Sequence, residues 1–268
     1  PPLYYPDGQQ RDEDYIWGSF LQSKMFQKGV TCMDCHDPHA EKLRAEGNAL
    51  CVRCHNAAVF DSEKHHFHRM GTKGVLCVEC HMPAKNYMLV NARRDHSIRV
   101  PRPDLSPSLG APNACTTCHT DRKPEWAAGA MDKWYGVTWR DRPQYGTTLN
   151  AGATQGAKSL PALIDLAGKP DSPAIVRAAA ATLAQPHLRP EFLPATEQLL
   201  RDPDPEVRIA ALGLLEQFDA KVRVRTCATS LSDPIRGVRI EAARILADVP
   251  DSQFSVDQRT ARENATKE

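Results

Sequence analysis

The residues with most chemistry to offer are cysteines and histidines in a fixed order. The stretch Cys32-Met33-Asp34-Cys35-His36-Asp37-Pro38-His39 sets two thiols three apart, an imidazole directly after the second, and another imidazole three residues on. The same C-x-x-C-H order returns at Cys51-Val52-Arg53-Cys54-His55, Cys77-Val78-Glu79-Cys80-His81 and Cys115-Thr116-Thr117-Cys118-His119. These four copies use eight of the nine cysteines. A chain with this cysteine and histidine content would hold roughly 0.01 such motifs by chance, so the repetition carries a function.

C-x-x-C-H is the attachment sequence of c-type haem. Its two thiols form thioethers with the vinyl groups, and the histidine is held against the ring as an axial iron ligand. Four motifs predict four covalent haems on Cys32, Cys35, Cys51, Cys54, Cys77, Cys80, Cys115 and Cys118, with His36, His55, His81 and His119 as proximal ligands. Zinc is the nearest rival, because the fifteen residues between Cys35 and Cys51 suit a zinc ribbon. It explains neither the histidine after every second cysteine nor the longer gap from Cys80 to Cys115, and no zinc is expected.

Six histidines remain. His187, in "LAQPHLRP", reads as a turn residue, which leaves His39, His65, His66, His68 and His96 as candidates for four sixth positions. His39 cannot bend back easily onto the iron held by His36 and is expected to serve a neighbouring haem. In "HHFH", His65 and His68 would share one face of a helical turn while His66 points elsewhere. His65 and His68 are therefore favoured, with His66 in reserve.

The elements that must position these groups fall in two halves. Residues 1–145 hold every motif, are rich in loops, and contain an amphipathic helix expected over 14–28 before Gly29. A second helix is expected from Pro124 to Tyr135, ending at Gly136. Tyr15, Trp126 and Trp134 read as core more readily than as partners of a porphyrin edge. Residues 146–156 are small, polar and Gly-rich, the expected linker. Over 157–250 an internal period of 31 residues relates Asp171, Asp202 and Asp233, and also Val176-Arg177, Val207-Arg208 and Val238-Arg239. Each copy places a turn before an Ala- and Leu-rich helix, with Ser172-Pro173, Asp204-Pro205 and Asp233-Pro234 suited to its cap and first turn. Such units stack into an α-solenoid. Residues 251–268 are polar, expected as a frayed tail or the start of a further helix. Cys227 is expected to be a small buried apolar residue. The fold class is thus mainly α.

Composition bounds the rest. A quarter of the residues are charged, mean hydropathy is -0.49, and no stretch approaches 18 consecutive apolar residues, so no membrane span is expected. The formal charge of +1 would be outweighed by roughly eight haem propionates. Arg93, Arg94, Arg99 and Arg102 are candidates to pair with them or to lie in a solvated basic loop. No basic excess or reader motif points to nucleic acid. The start at Pro1, without Met or leader, is expected for a mature or trimmed form. Because haem is joined to C-x-x-C-H outside the bacterial cytoplasmic membrane, an exported protein of the periplasm or cell exterior is expected.

The runs "GVTCMDCHDPHA", "CVRCH", "HHFH", "CVECHMPAKNYM", "RRDHSIRVPRPDLS" and "PNACTTCH" resemble bacterial multihaem c-type cytochromes of the doubled-CxxCH type joined to HEAT or tetratricopeptide repeats. More distantly, "CHMP" followed by "DHS" is similar to the C-terminal haem region of pentahaem nitrite reductases. The resemblance implies bis-histidine ligation through His39, His65, His68 and His96. It also implies an Asp/Arg ladder in HEAT-like repeats through Asp171, Asp202, Asp233, Arg177, Arg208 and Arg239. The expected function is electron transfer to redox partner proteins, with the solenoid as a docking platform and self-association into a haem filament as a further expectation. The alternative is a reductase of small nitrogen or sulfur oxyanions with one open haem. The C-x-x-C-K motif that marks the catalytic haem of nitrite reductases is absent.

Overall fold

The computed structural model describes residues 3–268, and the chain divides into two compact units at Thr147/Thr148. Helices dominate both, with two small antiparallel hairpins in the first.

In the first unit the stretch expected as one helix over 14–28 is two, Ile16–Leu21 and Lys24–Gln27. Ser23 breaks them: its backbone is extended and its hydroxyl accepts from Phe26 N–H at 3.0 Å, a cap that competes with helix continuation. The helix Pro124–Tyr135 forms as expected and ends at Gly136, whose positive φ releases the chain. Its Ala128 and Met131 pack with Trp139 in a small buried cluster against Trp134. Tyr15 departs from the core expectation, being 86 % exposed, and Trp126 is 41 % exposed. The hairpin Ala84–Tyr87/Asn91–Arg94 follows directly on the third motif, pairing Ala84 with Arg94.

In the second unit the repeat helices begin at Ala174, Pro205 and Arg236, keeping the 31-residue period. Each follows a shorter helix: Leu160–Ala167, Leu193–Leu199 and Ala220–Cys227. Their apolar faces meet in a core that includes Leu212, Leu215, Val238, Ile245, Leu246 and the fully buried Cys227. Burial pushes the Cys227 thiol up to about 12, as expected of an inert core cysteine.

Two expectations are corrected here, and one with two alternatives is decided. Residues Gly146–Gln155 are helical where a linker was expected, because Gly152 is a packing residue: a Cβ there would lie 2.9 Å from Leu163 and 3.2 Å from Leu183. Of the two expectations for the polar tail, the helix is the one that forms: Val256–Thr266 is opened by a capping box of Ser255 and Gln258 and anchored by buried Phe254 and Ala265. Of the three cap sites, Asp204 alone caps its helix through its side chain, accepting from Glu206 N–H at 2.9 Å.

Asp202 and Asp233 are used differently. Arg177 holds both carboxylate oxygens of Asp202, at 2.5 and 2.8 Å, and Arg208 holds those of Asp233, at 2.9 and 3.0 Å. Each rung thus joins an arginine to the aspartate of the next repeat. The ladder then departs from the expected set, since Arg239 pairs with Glu268. An unexpected rung, Arg223 to Asp248, forms at 2.7 and 2.8 Å.

Candidate functional site

In three copies both motif cysteines sit on one helical turn, Cys32–Cys35, Cys77–His81 and Ala114–Cys118, and in the second copy Cys51 ends the helix Asn48–Cys51 with Cys54 in the turn that follows. On one turn, positions i and i+3 share a face, so both thiols point the same way. Local side chains start these turns. The carboxylate of Asp34 accepts from Thr31 N–H at 2.7 Å, which holds that carboxyl below its usual range. Asn113 accepts from Thr116 N–H at 3.1 Å.

Long-range bonds then bring the motifs together. Arg53 of the second motif donates to the Asp34 carbonyl of the first at 2.8 Å. Asn48 accepts from Cys77 N–H at 2.9 Å and donates to the Asp61 carboxylate and the Val75 carbonyl, joining the second motif to the third. The neighbouring thiols of Cys51 and Cys77 shift each other, lowering the first and raising the second. Burial, with Cys115 and Cys118 nearby, pushes Cys80 up to about 11. The four motifs therefore follow one another in space as in sequence.

Three motif histidines face a second histidine. His36 meets His96 with ring centroids 6.3 Å apart and planes at 24°; His81 meets His65 at 6.1 Å and 11°; His119 meets His68 at 6.2 Å and 36°. These gaps are too wide for ring-on-ring contact. Two imidazoles bonded to opposite sides of one metal at roughly 2 Å each have centroids about 6 Å apart once the rings' own size is added. The side chains present therefore fit an iron between each pair.

The ring nitrogens agree. Nδ1 of His81 lies 2.8 Å from the Arg99 carbonyl, Nδ1 of His96 2.9 Å from the Arg94 carbonyl, and Nδ1 of His68 2.5 Å from the His66 carbonyl. A carbonyl only accepts, so each Nδ1 carries the proton and leaves Nε2 with a lone pair for a metal. Burial, helped by His81 and His66, keeps the His65 imidazole below its usual pKa, which also favours the neutral ligand form.

The local backbone explains why His65 and His68 part company. The helix Glu63–His66 ends at Phe67, which is left-handed at φ 54°, so the two histidines do not share a helical face as expected. His65 goes to His81, and His68 to His119. Phe67 stacks on Trp134 at 4.7 Å and 3°, the Tyr135 hydroxyl donates to the His65 carbonyl, and Trp126 lies 4.8 Å from His119. Gly74 leaves space for His68, since a Cβ there would come within 2.3 Å of its ring.

The other histidines are placed differently. His55 has Phe60 edge-on at 5.7 Å, and among the described residues no histidine ring faces it. His39 is exposed, on a turn whose N–H donates to Asp37 at 2.9 Å. His66 accepts from His68 N–H through Nδ1, and its Nε2 is buried without a hydrogen bond. His187 lies in a short turn of the second unit, beside Gly156.

The four arginines are engaged by protein carboxylates: Arg93 with Glu13, Arg94 with Glu79, Arg99 with Asp7 and Asp95, and Arg102 with Asp104. Sequence reasoning did not single out Asn48, Gly74, Phe60 or the carbonyls of Arg94 and Arg99. Only Asn48 had a visible signal, an Asn-Ala pair just before the second motif that recurs as Asn113-Ala114 before the fourth. Among the described residues no helix is long and apolar enough to cross a membrane, and no three metal-binding side chains gather at one point.

Comparison with known proteins gives three family matches: the doubled CXXCH motif over residues 24–60, cytochrome c552 over 60–140, and the HEAT repeat over 192–222. No curated protein matches the chain. Among solved structures it is similar to the outer cell wall cytochrome OcwA, at 16 % identity and a TM-score of 0.35, over 79 % of this chain and 53 % of that one. The chain thus spans about half the length of that structure.

Proposed function

We propose that this chain, a multihaem c-type cytochrome carrying HEAT-like repeats, binds four covalent haems and conducts electrons along them. The observation that carries the reading is the set of three histidine pairs 6.1 to 6.3 Å apart, each pair including a motif histidine. Cys32/Cys35, Cys51/Cys54, Cys77/Cys80 and Cys115/Cys118 would hold the haems through thioethers. His36/His96, His81/His65 and His119/His68 would ligate three irons, and His55 the fourth. For that fourth iron His39 would supply the sixth ligand, with His66 in reserve.

Haem supplies one-electron chemistry at a potential set by its axial ligands, and two imidazoles give a lower potential than a Met/His set. The protein's part is to fix the imidazoles. Carbonyl acceptors on His68, His81 and His96 set each tautomer and strengthen each ligand. The succession of neighbouring motifs, first to second to third to fourth, supports a continuous path. The solenoid offers a surface for a redox partner or for further copies of the chain, and thioether attachment supports an exported location.

Intact mass and pyridine haemochrome measurements on the exported protein test the haem count: four haems per chain are expected, and fewer refute the reading. Electron microscopy over a concentration series tests assembly, with ordered fibres expected for a filament and discrete particles for a diffusing carrier.

A second reading, a reductase of small nitrogen or sulfur oxyanions, is favoured by the absence of a histidine facing His55 among the described residues. It requires an iron with an open sixth position. Carbon monoxide binding by the reduced wild-type protein would favour this reading over the carrier.

A further inference from the structure

Two of the histidine pairs are tied to one short stretch of backbone. The carbonyl of Arg94 accepts from His96 Nδ1 at 2.9 Å, and five residues later the carbonyl of Arg99 accepts from His81 Nδ1 at 2.8 Å. Arg99 N–H also donates to the His81 carbonyl at 3.1 Å, so these two residues hold each other twice. His96 belongs with His36 of the first motif, whereas His81 belongs with His65 in the third.

The stretch is held under unusual constraint. Asp95 is buried, its N–H donates to the Pro83 carbonyl, and its carboxylate accepts from Ser97 N–H at 2.8 Å. The buried Ser97 hydroxyl accepts from Arg99 Nε at 2.8 Å, and Arg99 Nη1 donates to the Asp7 carbonyl at 2.9 Å. Between them Ile98 has φ 44°, a left-handed conformation that a β-branched side chain adopts only when its surroundings impose it. The turn fixes where the two carbonyls point.

We infer that Arg94–Arg99 is a single clamp that positions one iron ligand in each of two different haem sites, so that the first-motif and third-motif haems change potential together. The inference rests on the haem reading above. An imidazole whose N–H donates to a carbonyl is a stronger electron donor and stabilises ferric iron. Loosening the clamp therefore shifts both midpoints to more positive values. Ser97 and Ile98 are positioning residues in this scheme.

The test is a spectroelectrochemical titration of the haem-loaded protein with Ser97→Ala and, independently, Ile98→Gly, neither of which changes charge. Ser108→Ala, on an exposed hydroxyl, is the control. Two of the four midpoints should shift positive together, with the low-spin paramagnetic resonance signals of those two haems altered and the other two unchanged. A shift of one midpoint, of all four, or of none in both variants would overturn the clamp. His96→Ala separates this from the underlying reading. A new high-spin haem in that variant, without a paired shift in the other two, defeats the clamp alone. If every haem stays low-spin, the ligand assignment fails and takes the clamp with it.

Discussion

His65 and His81 face each other across 6.1 Å with ring planes only 11° apart. Near-parallel imidazoles on one iron act on the same d orbital and split it strongly from its neighbour, which gives a rhombic low-spin ferric spectrum. The 24° and 36° of the other two pairs lie on the same side of perpendicular. Low-temperature paramagnetic resonance of the oxidised protein should therefore show three rhombic low-spin signals, and His65→Ala should replace one of them with a high-spin signal. Signals typical of perpendicular imidazoles would contradict the pairings.

Gly74 leaves no room for a side chain beside His68. An added Cβ would meet the ring's Cδ2 at 2.3 Å and Cγ at 2.5 Å, and the ring cannot swing away without losing its bond to the His66 carbonyl. Gly74→Ala should move one haem of the four, that of His119, from low-spin to a form that binds carbon monoxide when reduced. Absorbance difference spectra would check this. An unchanged spectrum would mean that His68 is not an iron ligand.

His39 and His55 give a prediction of a different kind, because both are exposed and neither faces another histidine among the described residues. If His39 completes the coordination of the fourth iron, the reduced wild-type protein binds no carbon monoxide and His39→Ala binds one equivalent. His66→Ala should then leave binding unchanged. One equivalent bound by the wild-type protein would instead assign an open iron to His55.

How far the sequence was legible follows the range of the interactions. The motif cysteines and the 31-residue period depend on spacing alone, so the helices starting at Ala174, Pro205 and Arg236 could be read directly. The failures came where one residue type has two uses. Gly152 looked like linker glycine but serves close helix packing, and Asp233 looked like a cap but is held by Arg208. The polar tail left a frayed end and a further helix both open, and the capping box at Ser255 with buried Phe254 and Ala265 decides for the helix. The turn at Phe67 that separates His65 from His68 has no local signal, since nothing in "HHFH" requires a left-handed phenylalanine.

The solenoid's rungs predict a pH dependence with a definite sign. Asp202 and Asp233 are largely buried, which opposes ionisation. Hydrogen bonds from Arg177 and Arg208, and from backbone N–H groups, outweigh that and leave both carboxyls below their usual values. A carboxyl lowered in the folded state contributes stability above its unfolded pKa of about 3.9 and loses it as pH falls through the folded value. The repeats should accordingly weaken below about pH 4. The side chains of Arg177 and Asp202 are only 7 % and 10 % exposed, so Arg177→Ala, which strands a buried carboxylate, should cost about 3 kcal/mol or more at neutral pH. Arg189→Ala, from a pair more than half exposed on both sides, should cost under about 0.5 kcal/mol. Denaturant unfolding followed by far-ultraviolet circular dichroism, with haem absorbance monitoring the other unit, would measure both. The loss from Arg177→Ala should shrink as pH falls, because protonation removes the charge that arginine serves; a loss independent of pH would assign the rung to packing.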